Sequence, residues 1–389
     1  MPVGRQSSFV SVLRHALSSA RPDLATVVPD EPYVPSFSAR DLQRIKLYDA
    51  FHSNLTKRLS SLLPTDDSAF ITMASLKQFL NALLATQSDL KLLMPVHRNT
   101  LPHAQEKVME DFLEKTVHLL DACWDIKQKI LGVETLHGTL QAVLSSSPLK
   151  NEPLRTPQLI RTQKAMAGLL DKELNGIEEP QERLCKSFQF GRRETGSDVS
   201  GDPPQRSRSL GGSIRSSMHF KAPQASKLLH TMSASLVTPR ITTGNEEDDL
   251  CAAVYAVHVV SLFFLGILTA TFPPQDKTSV PIILIQGPFS WAACLSQLQI
   301  RIQEEMKRAG VWEFDQMKTI EHRLSELLHD EEDCAEKAKE ITNLLKQLKQ
   351  YVDELERDLT HIYSQVMDLH NRIVSSRMEV LGMLSMCRA

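Results

Sequence analysis

Apolar residues recur at steps of three and four along most of the chain, which places them on one face of an α-helix. Helices are predicted over residues 38–64, 69–93, 103–131 and 134–144, with Gly132 separating the last two. The short connections predict an up-down bundle over residues 38–175, preceded by a disordered tail at 1–37. The predicted fold class is therefore all-α, an elongated helical bundle.

The C-terminal region, residues 273–389, carries the most regular pattern. Nine apolar residues alternate three and four positions apart: Leu345, Leu348, Val352, Leu355, Leu359, Ile362, Val366, Leu369 and Ile373. This 3.5-residue repeat predicts one long helix with a coiled-coil-like seam. Tyr351 and Tyr363 widen the apolar face, and the flanking charges are mixed. Packing against residues 38–175 of the same chain is therefore favoured over a homodimer.

Residues Leu250–Phe272 form the most apolar stretch of the chain. As a helix this stretch would be about 34 Å long, enough for the ~30 Å hydrocarbon core of a bilayer. Two interpretations remain open. It is either a transmembrane segment, in which Leu250, Phe263, Phe264 and Phe272 contact lipid, or a helix at the centre of the bundle, which also needs no polar face. The flanking charges do not orient it in a membrane.

A second apolar run, residues 280–288, is interrupted by prolines and is too short to span a bilayer. It is either an extended segment laid on the bundle or an interfacial anchor that uses Trp291.

Residues 176–249 are rich in Ser, Arg, Gly and Pro and poor in large aliphatic side chains, so they are predicted to form a disordered linker. Thr195, Ser207 and Ser209 follow arginines in sequences that resemble substrates of basophilic kinases. Phosphorylation there would cancel the local positive charge and weaken contact with an anionic membrane.

The composition narrows the functional classes. With 389 residues, 42% hydrophobic content and a net charge of −3, the chain is typical of a protein with a buried core, and nothing in it indicates nucleic-acid binding. The six cysteines are scattered, which suits a reducing compartment. Residues 1–21 are basic and Ser-rich, as in transit peptides and in many cytosolic tails, and they lack a secretory h-region.

No motif in the sequence indicates catalysis. A GxGxxG fingerprint, a P-loop, an HExxH motif and a GxSxG elbow are all missing from the sequence, and the histidines do not cluster. The sequence therefore predicts no catalytic residue, no cofactor and no metal site.

Several stretches resemble the plant BYPASS-related proteins. These are Leu47–Leu63, Ser75–Lys77, Ser88–Lys91, Leu119–Cys123, Phe289–Ala292 and His370–Glu379. The apolar stretch also lies where that family has its predicted membrane helix. The resemblance implies a non-enzymatic role in plant development. One branch of the family restrains a root-derived mobile signal, and another is similar to partners of an exocyst subunit in secretion.

Two hypotheses follow. The first is a membrane-associated adaptor that faces the cytoplasm and binds a protein partner, with a soluble cytoplasmic protein as the alternative location. The second is a binding protein for a small apolar signal precursor, held in a cavity around residues 250–272.

Overall fold

The computed structural model of the protein describes residues 39–64, 70–94, 103–145, 225–239, 246–272, 280–308, 311–329 and 335–388. These ranges contain eight α-helices and no strand, so the all-α prediction is confirmed. In chain order the helices are α1 (Ala39–Ser61), α2 (Met73–Leu93), α3 (His103–Ser145), α4 (Ala225–Ser235), α5 (Glu246–Thr271), α6 (Ala292–Arg308), α7 (Trp312–His329) and α8 (Ala335–Arg388).

Four long helices, α2, α3, α5 and α8, form the centre of the fold. Helix α8 packs against both α2 and α3, and α5 packs against the same two helices. Lys77 and Asp358 form an ion pair at 2.7 Å, and Lys91 and Glu379 form another at 2.9 Å. Because both sequences advance in the same direction between these two contacts, α2 and α8 run parallel.

Helix α3 runs in the opposite direction beside α8. Near its C-terminal end, Nε2 of His137 lies 2.9 Å from the carbonyl oxygen of Val352. Near its N-terminal end, the guanidinium of Arg377 donates to the carbonyl oxygen of Leu113 and to Oγ1 of Thr116. These side chain–backbone contacts tie both ends of α3 to α8.

Helix α5 occupies the interior. Phe264 stacks on Phe79 of α2 with ring centroids 5.3 Å apart, and His258 stacks on Phe112 of α3 at 5.6 Å. Helices α1 and α4 also pack against α5. Every residue from Ala252 to Phe272 is consequently buried, as expected for a helix that is apolar on all faces.

Helices α1, α6 and α7 lie at the periphery. Helix α6 packs beside α1. Just before α6 begins, Oγ of Ser290 lies 2.9 Å from Oγ1 of Thr56 in α1. Helix α7 packs along the first turns of α8, and Nε of Arg323 donates to Glu340 at 2.9 Å. Helix α1 turns one apolar face inward, with Tyr48, Phe51, Leu55 and Leu59 buried.

One helix boundary was predicted wrongly. The sequence predicts a break at Gly132, but α3 continues through this residue from His103 to Ser145. Glycine in a helix interior costs only about 1 kcal/mol relative to alanine. The neighbouring Ile130 and Val133 are buried against the core, and this packing offsets the cost.

The predicted linker is also too long at its C-terminal end. Residues 176–249 include α4, whose Ala225, Leu229 and Met232 are buried against α3 and α5. The Ser-rich composition obscured this short amphipathic helix. The remaining part of that range up to residue 224, the tail at 1–37 and residues 146–175 of the predicted bundle lie outside the described residues.

The nine-residue seam of α8 faces the interior of the chain. All nine of its side chains are buried, and the helices that pack against α8 are α2, α3 and α7. The packing of residues 273–389 against the N-terminal bundle is thus an intrachain contact, as the mixed flanking charges suggested.

Replacing Ile362 by Asp should unfold the bundle. The side chain of Ile362 is fully buried in the seam, and an unpaired buried charge costs several kcal/mol, comparable to the ~5–15 kcal/mol stability of a domain. Circular dichroism and sedimentation should show loss of helix and of cooperative unfolding. Ser364→Asp, at an exposed position two residues away, is the matched control and should behave as wild type. A fully helical Ile362→Asp monomer would contradict intrachain packing of the seam.

Candidate functional site

Helix α5 contains the residues that the sequence singled out for membrane contact. Leu250, Phe263, Phe264 and Phe272 are each 0% exposed and lie inside the bundle. By length and composition the helix Asp249–Thr271 is long and apolar enough to cross a membrane, and 94% of its most apolar window is buried by the rest of the chain. The same pattern therefore fits the core interpretation.

Between Ala252 and Phe272 the polar side chains are few and are enclosed by the core. Ser261 Oγ accepts a hydrogen bond from Nε2 of Gln87 at 3.2 Å. His258 stacks on Phe112, and its Nε2 has no hydrogen-bond partner. Burial lowers the pKa of His258 to about 3, and the positive charge of Lys115 acts in the same direction. The imidazole is therefore neutral at physiological pH and fills space as a core side chain.

A surface cleft of about 460 Å³ lies between α3 and α4. Its lining residues are Asp111, Glu114, Lys115, His118, Lys227, Leu228, Thr231, Met232 and Ser235. The lining contains carboxylates, ammonium groups and hydroxyls, and none of these residues belongs to α5. Lys115 and Asp111 pair with each other at 2.5 Å, and the hydroxyls of Thr231 and Ser235 donate to carbonyl oxygens of α4 itself. These groups stabilise local structure.

The apolar run after α5 is an extended segment on the bundle surface, as one of the two interpretations predicted. Trp291 is fully buried and packs on Phe289, with ring centroids 5.2 Å apart. The alternative, an interfacial anchor that uses Trp291, is therefore wrong. Gln299 of α6 holds the segment: its Oε1 accepts from the backbone N–H of Ile283 at 2.9 Å, and its Nε2 donates to the carbonyl of Ile283 at 3.2 Å.

Metal-binding groups, thiols and modification sites are the remaining places for chemistry. Within the described ranges, no group of three or more His, Cys, Asp or Glu residues is arranged to hold a metal ion. The thiol of Cys123 lies in the core, and burial raises its pKa to about 12, so it stays protonated. The candidate phosphorylation sites Thr195, Ser207 and Ser209 lie outside the described residues.

The whole chain, outside its termini, matches one protein family. The model of the family described as "Protein ROH1-like" aligns with residues 26–384. The chain belongs to the ROH1-like family. This match covers α1 to α7 and most of α8, so it includes the apolar helix and the seam.

Three curated proteins of Arabidopsis thaliana are similar to this member of the ROH1-like family. Protein ROH1A is 24% identical over 356 residues, covering 84% of this chain and 82% of its own length. Protein ROH1D is 22% identical over 367 residues, covering 85% and 87%. Protein BPS1, chloroplastic, is 19% identical over 263 residues, covering 68% and 62%. These relatives confirm the BYPASS-related resemblance, and none of their names denotes an enzymatic activity.

No solved structure matches the chain.

Sequence reasoning missed two residues that shape the surface beside α5. Gln299 lies on the inward face of α6 with Leu295 and Ile302, and one polar residue on an apolar face is a weak signal. Gly266 lies inside α5 without breaking the helix. A Cβ at this position would lie 2.6 Å from Cδ of Pro281. Its bare Cα lets the extended segment approach α5, a need that the sequence of α5 does not reveal.

Removing His258 should flatten the acid dependence of stability. In the unfolded chain this histidine takes up a proton below its ordinary pKa of 6.5, whereas the folded chain resists protonation down to about 3. Stability should therefore be intact above about pH 6.5 and fall below it, at up to about 1.4 kcal/mol per pH unit. Urea unfolding of His258→Leu across this range should show a shallower slope than wild type.

His361→Leu is the matched control, because His361 is exposed, and it should leave the slope unchanged. A residual slope should remain in His258→Leu, since burial also lowers the pKa of His52 to about 4. Equal slopes in wild type and His258→Leu would contradict burial of this ring.

Proposed function

We propose that this protein is a non-enzymatic adaptor in plant development, a rigid helical scaffold that binds a protein partner. The observation that supports it most is the use of buried and partly buried polar groups as structural links between elements. These links are His137 to Val352, Gln365 to Asn81, Gln299 to Ile283, Gln87 to Ser261 and Glu313 to Met73. They are spread along the bundle, whereas a catalytic site needs polar groups that converge on one cavity.

For the identity of the partner, the proposal draws on the family. Membership of the ROH1-like family and the BYPASS-related resemblance favour a role in secretion through an exocyst subunit, or in the control of a root-derived mobile signal. The second hypothesis, a binding protein for a small apolar molecule, needs an apolar cavity at α5. The cleft between α3 and α4 is lined by no α5 residue and carries the charged side chains of Asp111, Glu114, Lys115 and Lys227, so this observation does not favour the second hypothesis.

The packing of α5 bears on location. If α5 left the bundle for a bilayer, its own side chains would stay out of water, but the faces of α1 to α4 that cover it would lose their partner. Each large apolar side chain exposed in this way costs roughly 1.5–3 kcal/mol, and α5 contacts four helices. We therefore place α5 in the core and propose that the chain reaches a cytoplasm-facing membrane surface through its partner.

Alkaline carbonate washing of plant microsomes should release the protein. A peripheral protein held through a partner is extracted by this treatment, whereas a helix that spans the bilayer stays in the pellet. A resident single-span membrane protein detected in the same pellet is the control. Retention of this chain in the washed pellet would contradict the core placement of α5 and support a transmembrane segment.

A tagged full-length chain purified from plant tissue should bring a protein partner with it, and an exocyst subunit is the first candidate to probe. The Ile362→Asp chain should lose this partner because its bundle is disrupted, and Ser364→Asp should retain it. Direct binding of the purified pair should then be measured in solution. Recovery of the wild-type chain as a monomer that carries only a small apolar molecule would overturn the adaptor function and support a binding protein.

A further inference from the structure

The hydrogen bonds of one side chain, Gln299, define the backbone conformation of the segment after α5. The carboxamide of Gln299 binds both the N–H and the C=O of Ile283. The N–H and C=O of one residue point to the same side only in an extended strand, so Ile283 adopts this conformation. The side chain of Gln299 thus takes the place of a neighbouring β-strand on the inner edge of the segment.

The outer edge of the same segment has no hydrogen-bond partner in the part of the chain that the structure describes. In an extended chain the backbone groups of Ile282 and Leu284 point away from those of Ile283. They form no hydrogen bond with any of the described residues. Their side chains are 62% and 79% exposed, while Val280 and Ile283 are buried. The surface therefore presents the backbone groups of two residues, without a hydrogen-bond partner among the described residues, together with two large aliphatic side chains.

Both ends of this edge are fixed to the core. At the start, the ring of Pro281 lies directly against the Cα of Gly266, where a Cβ would stand only 2.6 Å from Cδ. At the end, Gly287 has φ = +118°, a conformation that favours glycine. This turn sends Phe289 into a stack on Tyr255 with ring centroids 5.4 Å apart. The edge is held in a strand conformation before any partner arrives, which reduces the ordering entropy lost on binding.

We propose that residues 282–286 are a docking edge, to which an extended peptide segment of a protein partner adds as a β-strand. This inference rests on the adaptor function, since it names the surface that would bind the partner. Main-chain hydrogen bonds to Ile282 and Leu284 would give affinity, and the two aliphatic side chains would select the partner's residues, as in other cases of β-strand addition.

The chemistry of the edge defines the peptide. No charged residue occurs between Val280 and Phe289, so the matching segment is uncharged and has apolar residues at alternate positions. A second copy of the chain is a poorer occupant. Two five-residue edges pairing with each other fall short of the ~1,200 Å² of total buried surface that stable dimers need. A short peptide that binds transiently has no such requirement.

The test uses the full-length chain and a displayed library of extended peptides about eight residues long, with alternate positions restricted to apolar residues. The strongest selected peptide is the probe. Leu284→Pro removes one outward N–H and leaves the bonds between Gln299 and Ile283 in place. Leu284→Lys keeps the amide and removes the apolar side chain. Leu92→Lys, at a residue that is 69% exposed at the end of α2, is the matched control. Thermal melts monitored by circular dichroism establish that each variant is folded.

The probe should bind wild type and Leu92→Lys with equal affinity. Its affinity for both Leu284 variants should be lower by roughly tenfold or more. N-methylation of the probe's backbone at one set of alternate positions should abolish binding, whereas methylation at the other set should have little effect. Binding should slow amide hydrogen exchange in the peptide fragment that covers residues 282–286. If Leu284→Pro fails to fold, Leu284→Lys and the methylated probes decide the outcome.

Three results would overturn the proposal: no peptide selected from the library, a probe whose affinity is unchanged in Leu284→Lys, or a wild-type dimer that Leu284→Pro converts into monomers. A cellular partner that still binds the Leu284→Pro chain would also overturn the docking edge, while the adaptor function would stand. Failure of the adaptor function would instead leave the wild-type chain without any protein partner.

Discussion

The fold depends on one constraint: after its acidic first turn, α5 has no polar face, so every side of this part must be covered. Within the central group of α2, α3, α5 and α8, only α2 and α3 pack against α5, so they cover only two of its sides. Helices α1 and α4 cover further sides, and Pro281 of the extended segment lies on Gly266. The peripheral elements therefore complete the enclosure of a helix that is apolar throughout. This requirement also explains why α4, only 11 residues long, packs its buried face on α3 and α5.

Apolar contacts alone would leave the register of these long helices poorly defined, since a seam of similar aliphatic side chains can pair at more than one offset. Polar side chains at the interfaces supply directional contacts. Gln365 of α8 donates to Oδ1 of Asn81 at 2.7 Å, and Arg377 reaches the backbone of α3 at Leu113. Because α8 is 54 residues long, contacts at separate points along it fix its position relative to both neighbours. We attribute the specificity of the bundle to these links and its stability mainly to apolar burial.

The sequence predicted those features whose signal lies within one element. The 3.5-residue repeat of α8 and the amphipathic face of α1 are local patterns, and the structure contains both helices. Whether α5 is a core helix or a membrane span could not be decided locally, because both need the same uniformly apolar sequence and differ only in what surrounds the helix. The break predicted at Gly132 failed for a related reason: burial of Ile130 and Val133 is a tertiary contribution. Gln299 was missed because its partner is the backbone of Ile283, which has no side-chain signature.

The core helix and the exposed edge beside it are physically coupled. Residue 266 must lack a side chain for Pro281 to rest on α5, and the position of Pro281 sets where Ile282 and Ile283 begin the extended segment. On the other side, Tyr255 of α5 stacks on Phe289 at the end of that segment. Both ends of the edge are thus seated on α5. A close-packed interior transmits small displacements instead of absorbing them, so the geometry of the outward amides depends on the packing of α5. The helix that most needs covering therefore also holds in place the segment whose outward backbone groups have no partner among the described residues.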